Sequence, residues 1–321
     1  MQNSYMRITL RQLLVFRTVC EQLSYSRAAE LLALTQPAVS LQIRQLEELL
    51  EEPLFDYVGK KLYLTEAAEY LRTTANDVFQ RLDVLDMQLS ELRGTLKGEL
   101  RIAAESSAKY LLPHLLAAFQ QRHPDIHPIL NVFNRSQLIR RLNENRDDLV
   151  IMTEVPDEMA LEFMPFLNNP IVAVVPAGHP LATSPAPVPL KSLQQYTLVR
   201  RENGSGTRRA CEAFFAQKHI HFNNVVEFNS HEAQREGVSA GLGLAFLPRY
   251  CVYRELRDGS LLELPIKELP IVRSWCLVHP RSRQLSPVAQ AFENFILQER
   301  QLISTIAAKF ESTPTAVTTL S

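Results

Sequence analysis

A run of short polar side chains near the start of the chain has the residue types that contact DNA bases. Its members are Thr35, Gln36, Pro37, Ala38, Ser40, Gln42 and Arg44. Small side chains at the leading end of a helix can enter the major groove, where amides, hydroxyls and guanidinium groups hydrogen bond base edges or phosphates. A capped surface helix contains the same residue types. The neighbouring elements therefore have to decide between the two hypotheses.

Three further basic residues could contact the DNA backbone. Arg27 lies at the start of the short helix before this run, and Lys60 and Lys61 follow Gly59 in a turn. Phosphate contacts of this kind position a protein on the duplex without reading its sequence. A single basic residue is more often just a solvated charge, so these assignments depend on the fold around them.

Four loops farther along the chain combine hydroxyl, amide or charged side chains with the predicted start of a helix. Their candidate ligand-binding residues are Ser106, Ser107, Asn134, Ser136, Ser205, Thr207, Arg208 and Glu232. Nearby residues that could add positive charge are Lys109, Arg135, Arg200 and Arg201. Free N–H groups at helix starts bind carboxylates and phosphates. One such loop alone is more often only a helix cap, but four in succession favour a site for a small anion.

The composition argues against several functional classes. The chain has 321 residues, 46% of them hydrophobic, and a net charge of −1, which suits two or three compact units. No apolar run approaches the roughly 20 residues that span a bilayer, and residues 1–11 lack the apolar segment of a secretion signal. We therefore expect a cytoplasmic protein with no membrane partner. The four cysteines lie far apart and form no CxxC motif, so we expect reduced thiols and no metal site.

The sequence shows no constellation of catalytic residues, and we predict none. Gly204-Ser205-Gly206 is neither the Gly-x-Ser-x-Gly motif of a nucleophilic serine nor a phosphate loop ending in Gly-Lys-Ser/Thr. It also does not follow the first strand of its domain, as a dinucleotide-binding fingerprint would.

The spacing of apolar residues predicts the elements that position the first polar run. Helices are predicted over residues 9–23, 25–32 and 36–51, followed by two short β-prone segments around Gly59. Three helices and a hairpin make a winged helix-turn-helix, which we assign to residues 1–64. The run from Thr35 then forms the third helix of this domain, and that context favours DNA binding over a plain surface helix.

A long helix is predicted over residues 65–93, with apolar residues three, four and seven positions apart. The residues expected to pair with a second copy are Leu71, Val78, Leu82, Leu85 and Leu89. In a lone helix they would face water, so pairing is the favoured hypothesis. A dimer would also present two recognition helices to successive major grooves. Residues 94–98, bracketed by Gly94 and Gly98, are predicted to form a hinge.

From residue 99 onward, strands and helices alternate, which is typical of parallel α/β units. Two apolar strands, at residues 171–175 and 271–278, could be the crossings between two lobes. We predict one lobe from residues 99–175 and 269–300 and a second from residues 176–268. Residues 301–321 form a C-terminal extension that we expect to be partly disordered.

The N-terminal segments closely resemble the signature of LysR-type transcriptional regulators. The matching segments are Leu10-Arg11-Gln12-Leu13, Ser26-Arg27-Ala28-Ala29, Leu34-Thr35-Gln36-Pro37-Ala38-Val39-Ser40, Ile43-Arg44-Gln45-Leu46-Glu47, Leu54-Phe55 and Leu64-Thr65-Glu66-Ala67. The match covers about the first 70 residues in order. Gly98-Glu99-Leu100-Arg101, His179-Pro180-Leu181 and the segment 240–248 fit the effector-binding domain of that family. Ala68 departs from the pattern, since many relatives have glycine there.

The resemblance implies an α+β multidomain protein. Its parts would be a winged helix-turn-helix, a linker helix and a two-lobed α/β effector-binding domain like the type II periplasmic binding proteins. The implied partners are double-stranded promoter DNA, RNA polymerase and further copies of the chain in a homodimer or homotetramer. No cofactor is implied beyond a small-molecule effector between the lobes.

A second resemblance narrows the subgroup. The segments 24–29, 59–62 and 201–208 look like the CbbR-like regulators of Calvin-cycle (RuBisCO) operons. This implies a phosphorylated sugar, phosphoenolpyruvate or NADPH as the effector. Three alternatives stay open: a solute-binding protein, a ligand-binding enzyme of the same α/β fold, and a DNA-binding protein without a ligand. The first 93 residues argue against the first, and the long α/β portion argues against the last.

Overall fold

The computed structural model describes residues 4–59, 61–184 and 186–310. These residues divide into two compact units. The first extends to Asp86 and includes Asn143–Arg146. The second comprises Met87–Leu142 and the residues from Asp147 onward.

The first unit begins with three helices packed around an apolar core. They are α1 (Leu10–Gln22), α2 (Tyr25–Leu31) and α3 (Gln36–Leu50). A threonine or serine precedes each one and accepts a hydrogen bond from its first turn, which satisfies a free N–H group there. The apolar residues of α3 recur every three or four positions, so Val39, Ile43 and Leu46 are all buried against Phe16 and its neighbours.

A hairpin and a long helix complete this unit. β1 (Phe55–Val58) and β2 (Lys61–Leu64) pair antiparallel, and α4 (Glu66–Leu92) follows. The hydroxyl of Thr65 accepts the N–H of Ala68 at 3.2 Å and donates to the carbonyl oxygen of Pro53 at 2.7 Å. This one side chain therefore caps α4 and fixes its start beside the base of the hairpin.

The second unit contains two mixed five-stranded sheets, one in each lobe. The first sheet has the order β4-β3-β5-β12-β6, with β3 (Gly98–Glu105), β4 (Ile126–Phe133), β5 (Leu149–Met152), β6 (Leu161–Asn168) and β12 (Ser274–Pro280). One face packs on α5 (Leu112–Arg122), α10 (Pro287–Gln298) and α11 (Arg300–Ala308), and the other on α6 (Arg135–Asn143). Because β3, β4 and β5 are parallel, their carboxyl ends meet at one edge.

The second sheet has the order β11-β7-β10-β8-β9. Its strands are β7 (Ile171–Pro176), β8 (Leu198–Arg201), β9 (Val225–Phe228), β10 (Leu244–Pro248) and β11 (Leu261–Glu263). α7 (Gly206–Lys218) packs on one face, and α8 (His231–Ser239) and α9 (Tyr253–Asp258) pack on the other. β8, β9 and β10 are parallel, so α7 and α8 both begin at the edge where β8 and β9 end.

The boundary between the two lobes differs from the predicted one at residues 175–176. The strand 171–176 pairs with β10 and β11, so it belongs to the second lobe and not to the first. The chain crosses between the lobes just before it, where the N–H of Asn169 donates to the carbonyl oxygen of Arg273 and Ile171 pairs with Ile271. The other predicted crossing strand begins three residues later than expected, because Ile271 forms only this isolated bridge and β12 runs from Ser274 to Pro280.

The beginning of the predicted C-terminal extension is ordered. α11 buries Ile303, Ile306 and Ala307 in the core of the first lobe, because its apolar face continues the packing of α10. Residues 311–321, where we expected disorder, lie outside the described residues. Within the part of the chain that the structure describes, no helix combines the length and the hydrophobicity needed for a membrane span.

Candidate DNA-binding and effector sites

The leading end of α3 presents polar side chains to solvent. Thr35, Gln36 and Pro37 are exposed, and the Thr35 hydroxyl accepts the N–H of Ala38 at 3.4 Å. Pro37 has no N–H to leave unpaired in the first turn, where it costs little. Because the opposite face of α3 is held in the core, the rotation of the helix about its axis is fixed, and so is the direction of the polar face.

The remaining predicted DNA contacts occupy the same helix and its surroundings. Ala38, Ser40 and Gln42 are partly buried and Arg44 is exposed. Arg27 is exposed in the first turn of α2, and Lys61 is exposed at the start of β2. Lys60 lies outside the described residues. Glu47 of α3 accepts the N–H of Leu54 at 2.8 Å, so a hydrogen bond joins α3 to the residue just before the β1–β2 hairpin.

The predicted pairing residues of α4 divide into two groups. Leu71 is 8% exposed and lies in the core of its own unit, and Val78 packs against that core. Leu82, Leu85 and Leu89 are 41%, 49% and 44% exposed. The N-terminal half of α4 therefore uses its apolar face within the chain, because it covers the helices of the first unit. Of the five predicted pairing residues, the three in the second half of the helix keep a large exposed surface.

The edge where the parallel strands of both lobes end is a cleft whose two sides touch. Arg201 at the end of β8 is 3% exposed, and its guanidinium donates to the Ser106 hydroxyl of the other lobe at 3.2 Å. The same guanidinium donates to the Glu202 carboxylate at 2.8 and 3.0 Å and to the carbonyl oxygen of Asn229 at 3.4 Å. A buried cation therefore lies at the junction of the lobes.

Ser107 is the most deeply embedded of the predicted cleft residues. It is 2% exposed, and its hydroxyl accepts hydrogen bonds from the Asn169 amide at 3.2 Å and the Trp275 indole N–H at 3.3 Å. Asn169 lies at the crossing between the lobes. Ser107 therefore connects the floor of the cleft to the crossing between the lobes.

Asn134 and Ser136 meet the loop after β8. The Asn134 amide nitrogen lies 3.4 Å from the Glu202 carboxylate, and the N–H of Ser136 donates to the carbonyl oxygen of Gly204 at 3.2 Å. Gly204 has a φ of +88°, and a Cβ there would lie 2.7 Å from the Ser136 hydroxyl. Only glycine allows this approach of the two lobes.

Glu232 closes the opposite side of the cleft. It forms an ion pair with Lys109 and accepts the Tyr110 hydroxyl at 2.7 Å. Its partial burial would raise its pKa, but the hydrogen bonds from Lys109 and Tyr110 outweigh this and lower the pKa. Glu232 and Glu202 thus place two of the protein's own carboxylates on the cationic groups of the cleft.

The third predicted loop is only partly in the cleft. Ser205 is buried and caps α7 by accepting the N–H of Arg208 at 3.4 Å. The side chain of Arg208 turns away and donates to Glu212 at 2.7 Å and Glu227 at 2.8 Å, all within the second lobe. Thr207 and Arg208 line another cavity, within the second lobe, whose lining also includes Arg201. The structure therefore does not bring these two residues together with Ser106.

Glu105 is a cleft residue that the sequence analysis missed. It is 6% exposed and accepts the Thr153 hydroxyl at 2.9 Å, and a Cβ on Gly206 would lie 2.7 Å from it. Burial raises its pKa to about 7, against the lowering effect of Thr153 and Arg135. A carboxylate directly after the apolar residues Ile102-Ala103-Ala104, next to Ser106-Ser107, was the signal available in the sequence.

Glu154 forms ion pairs with three arginines beside the cleft. Its carboxylate lies 2.7 Å from Arg209 of the second lobe, 3.5 Å from Arg135 and 3.4 Å from Arg273 at the lobe crossing. These residues line an open cavity of about 550 Å³, whose rim also includes Asp157 and Glu158. Positive and negative charges are balanced there, and the Glu154–Arg209 ion pair joins the two lobes.

Other candidate reactive groups are buried. His231 is 1% exposed, and desolvation, followed by the charges of Arg201 and Lys109, lowers its pKa. All four cysteines are buried, free thiols. Among residues 4–59, 61–184 and 186–310, no group of histidine, cysteine and carboxylate side chains is arranged to hold a metal ion.

Comparison with known proteins establishes the family. Residues 10–90 match the family described as "Bacterial regulatory helix-turn-helix protein, lysR family", and residues 93–301 match "LysR substrate binding domain". This chain belongs to the LysR family of transcriptional regulators. The sequence prediction of family and fold class is confirmed.

One relative and two solved structures show which known proteins this chain is similar to. The RuBisCO operon transcriptional regulator of Allochromatium vinosum is 40% identical, over 92% of this chain and 97% of its own. The regulatory domain of CcmR from Synechocystis PCC6803, solved in complex with 2-PG, is 34% identical, covers 64% of this chain and 98% of that one, and has a TM-score of 0.61. A full-length OxyR variant from Pseudomonas aeruginosa shares the fold, with 21% identity, coverage of 91% and 95%, and a TM-score of 0.72.

Proposed function

We propose that this regulator controls carbon-fixation (RuBisCO) genes in response to a small phosphorylated carboxylate bound between its lobes. Its α3 would read promoter DNA, and the side chains that would contact base edges or phosphates are Gln36, Ser40, Gln42 and Arg44. The small residues Thr35, Pro37 and Ala38 would allow the helix to approach the bases closely. Arg27 and Lys61 would contact the DNA backbone. The similarity to the RuBisCO operon regulator supports the target genes. The proposed action is regulatory and not enzymatic.

The observation that carries the effector site is the buried guanidinium of Arg201. It donates a hydrogen bond to Ser106 across the cleft, and its charge is balanced by the neighbouring carboxylate of Glu202 in the same lobe. A ligand carboxylate or phosphate could replace that carboxylate and gain charge-assisted hydrogen bonds from the same donors. Ser107, Asn134, Ser136 and Ser205 supply further polar groups and helix N-termini around it.

The ligand class follows from the chemistry of this cleft and of a neighbour. The related regulatory domain of CcmR was solved with 2-PG, which is 2-phosphoglycolate. It carries one phosphate and one carboxylate, as phosphoenolpyruvate does. Two anionic groups could displace Glu202 from Arg201 and Glu232 from Lys109 together. We therefore place these two compounds ahead of NADPH and the phosphorylated sugars.

Binding would act by shifting the balance between two lobe arrangements. The lobes meet through Ser106–Arg201, Ser136–Gly204 and Glu154–Arg209, so a ligand that changes these contacts changes the angle between the lobes. The exposed Leu82, Leu85 and Leu89 would pair copies of the chain into a homodimer and homotetramer, whose geometry transmits the change to DNA and RNA polymerase.

A direct test compares promoter binding with and without 2-PG in matched variants. Fluorescence anisotropy on the full chain should show a 2-PG-dependent change in the dissociation constant for its own promoter fragment. Ser106→Ala should weaken the 2-PG response about tenfold, because one hydrogen bond to a charged group contributes about 1.5 kcal/mol. Ser304→Ala, at an exposed position of α11, should behave as the wild type. An unchanged 2-PG response in Ser106→Ala would contradict the proposal that the effector binds in the cleft.

A further inference from the structure

A second cavity lies inside the second lobe, and Arg201 of the cleft is among its lining residues. It has a volume of about 290 Å³ and is formed by α7 against β8, β9 and β10. Its apolar lining includes Cys211, Phe215, Ile220, Phe222, Val225 and Phe246. The Phe215 ring lies 5.2 Å from that of Phe222 and 4.8 Å from that of Phe246. Three packed aromatic rings therefore form one side of the cavity.

This space is larger than a packing defect. Protein interiors contain few voids larger than a water molecule, and an apolar cavity of ~150 Å³ is sufficient to bind benzene. The lining residues Cys211, Ile220 and Phe246 are themselves nearly buried, and burial raises the pKa of the Cys211 thiol to about 12. The interior of the cavity is therefore a low-polarity environment that suits a small apolar group.

The mouth of the cavity carries a cation with an unused donor. The Nε of Arg200 is buried and donates no hydrogen bond within the described part of the chain, and its terminal nitrogens lie 3.3 Å from Glu227 and 3.9 Å from Glu212. The neighbouring Arg208 differs, because its guanidinium hydrogen bonds both of these carboxylates. An incoming acceptor could therefore bind Arg200 without competing for Arg208.

We propose that this cavity binds a small carboxylic acid with an apolar body, of the size of a benzoic acid or a medium-chain fatty acid. Its carboxylate would accept hydrogen bonds from Arg200, with Thr207 beside it, and its apolar body would pack among Phe215, Phe222 and Phe246. The acid would contact α7, the helix that begins with Gly206 against Glu105 in the cleft. The two sites are therefore joined by one helix.

Fluorine NMR on the full-length protein tests this proposal with 4-fluorobenzoate as the probe. Saturable binding is expected, and 4-fluorobenzyl alcohol, which lacks the charge, should bind at least fivefold more weakly. Arg200→Gln should reduce the affinity for the acid to that for the alcohol. The absence of saturable binding, or equal affinities for acid and alcohol, would overturn the proposal.

A matched pair of helix variants locates the probe. Ala216 and Ala213 are both exposed on α7, but only Ala216 lines the cavity. Ala216→Leu should fill it and weaken 4-fluorobenzoate binding at least tenfold, whereas Ala213→Leu should leave the affinity unchanged. Equal affinities in both variants would contradict this site. Excess 2-PG should not displace the probe. Displacement would place 4-fluorobenzoate in the cleft and overturn the proposal, whatever becomes of 2-PG as an effector.

Discussion

The two candidate sites are built in opposite ways. The polar edge of α3 comes from one continuous stretch of ten residues, half of them exposed, while the core holds the other face of the same helix. The cleft is assembled from several segments of the second unit that are distant in sequence, and several of its polar groups, including Glu105, Ser107 and Arg201, are almost fully buried.

This difference predicts which properties can be changed separately. We expect a surface residue of α3 to contribute to DNA affinity and little to folding, since its neighbours are solvent. We expect a buried polar residue of the cleft to contribute to both ligand binding and stability, because its loss leaves other buried groups without partners. Three substitutions examine this contrast, beginning with the largest expected effect.

Arg201→Met should produce the largest loss of stability. Removing one partner of a buried ion pair costs roughly 3–5 kcal/mol, and the partial exposure of Glu202 places the expected value at about 3 kcal/mol. Urea unfolding followed by circular dichroism measures it. Arg209→Met is the control, because its side chain is 63% exposed and its pair with Glu154 lies near the surface. That variant should lose less than about 1 kcal/mol. Equal losses of unfolding free energy in Arg201→Met and Arg209→Met would contradict the difference between buried and surface charges.

Glu105→Gln should change how stability depends on pH. Burial raises the pKa of Glu105 from 4.5 to about 7, so between these pH values the folded protein holds a proton that the unfolded chain releases. The free energy of unfolding of the wild type therefore falls as the pH rises through this range, relative to that of the variant. The loss reaches on the order of 3 kcal/mol above pH ~7, since each pKa unit corresponds to ~1.36 kcal/mol.

Urea unfolding of both proteins at closely spaced pH values between ~4.5 and ~8 measures this difference. Glu99→Gln is the matched control, since Glu99 is exposed and pairs with Arg101 at the surface. A difference between Glu105→Gln and the wild type that does not vary with pH would show that Glu105 is charged in the folded state throughout.

Gln36→Ala should affect DNA affinity alone. A base-reading contact contributes about 1–3 kcal/mol to discrimination, so the dissociation constant for the promoter should rise between about fivefold and 150-fold. The free energy of unfolding should stay within about 0.5 kcal/mol of the wild type, because Gln36 is exposed. Gln45→Ala, exposed farther along the same helix, should leave both quantities nearly unchanged. A matching loss of affinity in Gln45→Ala would show that α3 is not read from its leading end.

The contrast also explains what the sequence could predict. The elements of the first unit follow from local signals: apolar spacing, a capping hydroxyl before each helix, and Gly59 in the hairpin turn. The direction of the α3 polar face then follows from the positions of Val39, Ile43 and Leu46. The parallel strands and their helices were predictable for the same reason, as were the loops containing Ser106 and Asn134.

The partners of these loops were not predictable, because they depend on how the lobes close. The pattern around Arg208 is that of an anion-binding loop, yet its guanidinium hydrogen bonds Glu212 of the same helix and Glu227 of the neighbouring strand within the second lobe. Arg201, at the end of β8, reaches the cleft instead. The inward position of Leu71 was hidden too, since an apolar residue at helical spacing can face its own core or a second copy.

One hydrogen bond offers a practical consequence. Trp275 is the single tryptophan of the chain, its ring is fully buried, and its indole N–H donates to Ser107 on the floor of the cleft. Indole emission shifts with the polarity and hydrogen bonding of the ring. We therefore expect the native fluorescence of this protein to change if a ligand binds in the cleft, so that binding could be followed without a label or a mutation.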